Sequence, residues 1–149
     1  MKIVLASKSG VRKKILDKYG FQTIVSPSNV DEDQVKESLL EKGADPEIIS
    51  KNLAELKSIK VSSKFPDQLV LGADSVVSLN SKLINKPSSR QEALKILKLL
   101  NGKKHYLISS VCISKNGSMI WNHTDKSELK MKKLSDQELD TYLNEIKTE

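Results

Sequence analysis

The chain has 149 residues, 38% of them hydrophobic and 30% charged, with a formal net charge of +6. That length suits one domain, or two small lobes sharing a core, and excludes an array of domains. No apolar run is long enough for a transmembrane helix, and the basic N-terminal stretch reads as a first strand, being too short for a signal peptide.

The single cysteine, Cys112, cannot form an internal disulfide, which fits a reducing cytoplasm. Aromatic residues make up only 4%, so the core must rest on Leu, Ile and Val. A basic balance, with a pI of about 9.3, suits nucleic acid, a membrane surface or a polyphosphate. Most of the lysines are scattered along predicted helix faces, which reads first as a solvated surface.

Residues 2–6 read as a short buried strand. Ser7-Lys8-Ser9-Gly10 turns the chain into a helix with Val11, Ile15 and Leu16 on one face, Arg12 in the first turn and Gly20 at the end. A strand-to-helix turn of small hydroxyl residues offers backbone N–H groups and a positive dipole end, which suits a phosphate. Plain N-capping by Ser7 or Ser9 uses the same residues. Phe21–Val25 reads as a second strand. Asp31, Glu32 and Asp33 precede a helix from Gln34 to Lys42. They complement its dipole, or one of them, Glu32 first, turns inward to a metal or a cationic group.

After Gly43-Ala44, Asp45 is placed as N-cap and Pro46 as first residue of a helix. Its apolar stripe is Ile49, Leu53 and Leu56, extended to Val61. Lys57 sits at the edge of that stripe, where it can snorkel to solvent or reach into a cleft.

Leu69–Ala73 is the best candidate for a central strand. It runs into Asp74, an acid within the apolar stretch Leu71-Gly72-Ala73-Asp74-Ser75-Val76-Val77. An unpaired buried carboxylate is costly, so Asp74 is expected at a strand's end, aimed into a cleft with cationic partners or a metal. Gly72 removes a side chain and lets a ligand or another backbone come close. Ser75–Leu79 continues as strand, Asn80-Ser81 turns, and Lys82–Ile84 returns. Pro87 then holds Lys86 extended.

Ser89-Arg90-Gln91-Glu92 reads as a capping box opening a helix through Leu100. His105–Ser114 and Met119–Met131 are strands joined at Asn116-Gly117, the strongest hairpin signal present. A second capping box, Ser135-Asp136-Gln137-Glu138, opens a last helix with Leu139, Tyr142, Leu143 and Ile146. His105 and His123 fall in strands with no partner acid nearby in sequence. Cys112 reads as a small core residue, and Trp121 as packing or a dimer surface. Strands and helices alternate, but two hairpins interrupt them, which predicts a mixed α/β sheet.

Acids with separated cations around one cleft are what phosphate-ester chemistry with a divalent metal requires. Carboxylates hold the metal and orient or deprotonate water, while lysines and an arginine neutralise phosphate oxygens. No Walker A motif, dinucleotide G-x-G-x-x-G or Ser-His-Asp context competes.

The motifs Leu5-Ala6-Ser7-Lys8-Ser9 with Arg12, Val30-Asp31-Glu32, Leu53-Ala54 with Lys57, and Gly72-Ala73-Asp74-Ser75-Val76-Val77 stand in the order of the Maf family. Lys86-Pro87, Asn101-Gly102 with His105, and the closing segment Leu134–Tyr142 follow in the same register. The chain resembles that family over nearly its whole length. The resemblance implies a Maf/inosine-triphosphatase-like mixed sheet with flanking helices and a central cleft between two lobes, in a single domain over residues 1–149 that often forms a homodimer. It implies hydrolysis of a nucleoside triphosphate to the monophosphate and pyrophosphate with Mg²⁺ or Mn²⁺ in the cytoplasm. It further implies roles in removing non-canonical nucleotides and in septum formation, with no nucleic-acid or membrane partner. By the matching positions, Asp74 is the proton acceptor and shares the metal with Glu32, while Ser7, Ser9, Arg12, Lys57, Ser75 and Lys86 line the substrate site.

Three departures stand out. Gly10-Val11-Arg12 occupies the place where the family often has Pro-Arg-Arg. Ser75 follows the aspartate where Thr goes with dTTP or UTP and Gln with 7-methyl-GTP. The chain stops at Glu149 before the family's Gly- and Gln-containing strand pair, so a C-terminally short member, a fragment or a weak catalyst is expected. Two other readings use the same residues: an inactive nucleotide-binding Maf-like protein, and a basic RNA- or protein-binding module, which the scarcity of aromatics weakens.

Overall fold

A computed structural model describes residues 1–146. The elements are β1 (Lys2–Leu5), α1 (Gly10–Lys18), β2 (Gln22–Val25), α2 (Glu32–Glu41), α3 (Pro46–Ser62), β3 (Val70–Leu79), β4 (Lys82–Ile84), α4 (Arg90–Leu100), β5 (Lys104–Lys115), β6 (Ser118–Lys130) and α5 (Asp136–Glu145). The strands form one mixed sheet in the order β2-β1-β3-β5-β6, with β4 also on β3. β1 is parallel to both neighbours, and β3, β5 and β6 run antiparallel. Val4, Ala6, Val61 and Val70 form a buried cluster closed by Ile24 and Phe65.

β3 runs unbroken from Val70 to Leu79, so Asp74 lies at mid-strand and not at the strand end where it was expected. On one side β5 pairs with it from Val70 to Ser78. On the other, β1 stops at Leu5 opposite Leu71, and β4 joins only at Val77. The strand end that opens the cleft is therefore that of β1. Backbone direction alternates along a strand. Leu71 accepts from Ala6 N–H, and Val77 pairs with Ile84, so the peptide groups at Ala73 and Ser75 face the gap between them.

α3 lies across β3 and β5. Asp45 caps it through Ile48 N–H at 2.9 Å, and Pro46 fills its first position. Its buried face holds Ile49, Leu53 and Val61 as expected, but Leu56 is 42% exposed. Pro46, Ser50, Ala54, Lys57, Ser58 and Ser62 take the remaining buried positions. The cause is close approach. A Cβ on Gly72 would stand 2.3 Å from Ala54 O and 2.7 Å from Ser58 N, so it is α3 backbone and not a ligand that Gly72 admits. The buried hydroxyls are bonded, as burial demands: Ser58 with Ser114 at 2.7 Å, Ser50 to Asp74 O at 3.0 Å, and Ser62 accepting from Gly117 N–H at 2.9 Å.

Three local expectations are corrected. α2 begins at Glu32, with Asp31 as N-cap, so Glu32 and Asp33 form its first turn. α1 is held by polar anchors at Ser9 and Arg12 and turns Val11 and Ile15 outward, at 68% and 52% exposure. Ser89 caps α4, but Glu92 bonds Ser88 N–H and Oγ, both at 2.8 Å, so no reciprocal box forms there. The box at Ser135 and Glu138 is complete. The Asn116-Gly117 hairpin adopts positive φ at both residues, as its sequence demands. Among the described residues no helix is long and apolar enough to cross a membrane.

Candidate active site

The gap beside β3 opens a cleft of about 800 Å³, walled by the β1–α1 turn, the loop before α2, and the Lys86 segment after β4. At its floor Asp74 is 5% exposed and Lys57 6% exposed. Lys57 Nζ donates to Asp74 Oδ1 at 3.2 Å and to Ala73 O at 3.3 Å, and it forms an ion pair with Glu32. Lys57 thus reaches the cleft and does not snorkel. Glu32, in the first turn of α2, keeps its side chain partly open to the cleft.

Arg12 reaches the Ala73 carbonyl from the other wall. Its Nη1 donates to Ser7 Oγ at 3.0 Å and to Ala73 O at 3.2 Å. The Ala73 carbonyl, which a neighbouring strand would otherwise bond, is therefore met by two cations. Ser7 Oγ also accepts from Ser9 N–H at 3.1 Å, while Ser9 Oγ caps α1 by accepting from Arg12 N–H at 3.2 Å. Lys86 lines the mouth and is exposed. Ser75 also lines the cleft, but it points to the opposite sheet face from Asp74 and shares a hydrogen bond with Ser109 at 2.9 Å.

The two acids are pushed apart electrostatically. Burial raises the Asp74 carboxyl above its ordinary range, and Lys57 only partly offsets this. At Glu32 burial also raises, but the Lys57 hydrogen bond and the charges of Lys57, Lys36 and Lys86 outweigh it and hold the carboxyl low. Lys36 and Ser50 escape a reading by motif. The spacing of Lys36 four residues after Glu32 is the signal that finds the first. Nothing in sequence marks Ser50, whose hydroxyl bonds the Asp74 carbonyl.

A divalent metal fits this donor set. Asp74 Oδ2 is buried without a hydrogen-bond partner, and the converging groups are hard carboxylate oxygens. Among the described residues no group of three or more His, Cys, Asp or Glu forms a closed cage. Mg²⁺ is commonly held by one or two carboxylates, with substrate phosphates and water completing the shell. Elsewhere, His105 Nδ1 is buried without a partner, and Trp121, half-exposed on β6, stacks on His123 with ring centroids 6.1 Å apart. Trp121 is therefore not a core packing residue.

Residues 2–148 match the family model described as Maf-like protein. The chain is 63% identical over 144 residues to the nucleoside triphosphate pyrophosphatase of Pelagibacter ubique, covering 97% of this chain and 74% of that protein. It is 37% identical over 143 residues to the dTTP/UTP pyrophosphatase of Pyrococcus furiosus, covering 96% and 71%. Among solved structures, a HAM1 protein from Coxiella burnetii superposes with a TM-score of 0.56 at 15% identity, covering 87% of this chain and 72% of that one, which is a likeness of fold.

Proposed function

The chain belongs to the Maf family, and from that premise we propose that its cleft hydrolyses a nucleoside triphosphate to the monophosphate and pyrophosphate. The observation that carries this reading is the convergence of Asp74 and Glu32 on Lys57, at the floor of a cleft that Arg12 and Lys86 also border. In the proposed reaction Asp74 takes a proton from the attacking water. A P–O bond forms from that water, the bridge between the α- and β-phosphates breaks, and the electron pair leaves with the departing phosphate oxygen. Burial makes Asp74 a stronger base than an exposed carboxylate, which suits this role. Lys57, Arg12 and Lys86 stabilise the charge that develops on the phosphate oxygens. The amides of Gly10 and Val11 open α1 at the cleft wall, where a phosphate is favoured. Glu32 and Asp74 would hold Mg²⁺ or Mn²⁺, which supplies further neutralisation of the triphosphate.

The test is pyrophosphate release from a panel that includes dTTP, UTP and 7-methyl-GTP, with Mg²⁺ or Mn²⁺. The panel also decides which base is preferred. Turnover is expected with at least one substrate, and Asp74→Asn should reduce it by about 10²–10⁴-fold, since it keeps shape and removes basicity. No turnover by the wild type, or an unaffected variant, overturns the reading.

A further inference from the structure

We propose that the Lys57 ammonium is the resident counter-ion of the Glu32–Asp74 pair and occupies the cation's place, so that the divalent cation enters the cleft with the nucleotide and not ahead of it. This rests on the reading of the cleft given above.

An ammonium has three N–H donors. Those of Lys57 have three acceptors: the Glu32 carboxylate, Asp74 Oδ1 and the Ala73 carbonyl. The group is saturated and buried, and its single positive charge is shared between the two acids. Other cations are placed differently. Arg12 is committed to Ser7 and Ala73, Lys86 stands exposed at the mouth, and Lys36 acts on the two acids only through its charge.

A divalent cation drawn to these two carboxylates, even through the unpartnered Asp74 Oδ2, would meet the ammonium on Oδ1 at short range in a poorly screened site, which is strongly unfavourable. Lys57 would have to withdraw and give up two of its three acceptors. Its backbone cannot move with it, because α3 is packed against Gly72. Only the side-chain torsions are free. A cation arriving alone leaves that buried ammonium short of acceptors, at a cost in free energy. A nucleoside triphosphate brings phosphate oxygens that replace them. Cation and nucleotide therefore assist each other, and the assistance is reciprocal.

The test measures Mn²⁺ binding by calorimetry, without nucleotide, to wild type, Lys57→Met and Lys57→Arg. Lys57→Met should bind Mn²⁺ alone about tenfold or more tightly than wild type, a typical coupling between linked sites. Lys57→Arg keeps the counter-ion and should bind no more tightly than wild type. An α,β-methylene triphosphate should raise Mn²⁺ affinity in the wild type and have a much smaller effect in Lys57→Met. A folded Lys57→Met that binds Mn²⁺ no better than wild type overturns the proposal. If that variant is unfolded without metal, its recovery of native circular dichroism on adding Mn²⁺ supports the proposal. If Mn²⁺ does not refold it, Lys57→Gln is judged by the same affinity criterion. None of these readings requires turnover, so a wild type inert toward every triphosphate would remove the hydrolytic reading and leave this one standing.

Discussion

At the residue scale, Gly72 and its neighbours across the ladder decide how near α3 comes to the sheet. Gly72→Ala would put a methyl inside contact distance of two backbone atoms of α3, neither of which can swing away. Overpacking of this kind costs about 1–3 kcal/mol. It is expected as a lower urea midpoint, accompanied by lost turnover because α3 carries Lys57. Opposite Gly72 in register lies Cys112, fully buried, its thiol pushed up to about 11 by burial. A thiol held protonated by the fold contributes stability that is intact below its unfolded value, near 9.0, and is lost as pH rises toward about 11. Between those limits Cys112 should cost about 1.4 kcal/mol per pH unit. Urea titrations from pH 9 to 11 check this: Cys112→Ala should flatten the decline, and Ellman's reagent at pH 8 should leave the native thiol unmodified. Rapid native labelling would contradict the burial.

At the scale of elements, the two predicted capping boxes part company for a local reason. Glu138 reaches back to Ser135 N–H at 3.2 Å and closes the box on α5. Glu92 has the same spacing from Ser89, yet Ser88 offers both a backbone and a hydroxyl donor one residue earlier, and two bonds to one carboxylate oxygen outcompete one. Ser135→Ala should therefore destabilise the protein by about 1 kcal/mol, the usual cost of an N-cap serine. Urea unfolding measures it, and an unchanged midpoint would mean that α5 is not part of the cooperative unit. α3 shows the same contest between pattern and context. Its apolar spacing pointed to Leu56, but the sheet comes too close for a wide leucine face, and bonded serines fill the interface instead.

At the scale of the whole molecule, the order of strands and helices was legible because its punctuation is local: Asp45-Pro46, Asn116-Gly117 and Ser135 each act within a few residues. The membership of the cleft was legible through motif order, and Ser7, Arg12, Glu32, Lys57, Asp74, Ser75 and Lys86 do line one cavity. What could not be read locally depends on partners far along the chain. The cleft opens beside the middle of β3 because β1 stops opposite Leu71 while β5 continues past Asp74, and no property of residues 70–79 alone announces that. The outward turn of Val11 and Ile15 likewise follows from where Arg12 is tied across the sheet, at Ala73. That interrupted pairing also means that part of the cleft's chemistry belongs to the main chain, which amino-acid replacement cannot delete. Truncating the lining side chains one at a time would leave the peptide groups of Ala73 and Ser75 in place, so the single losses need not add up to the whole affinity for a ligand seated there.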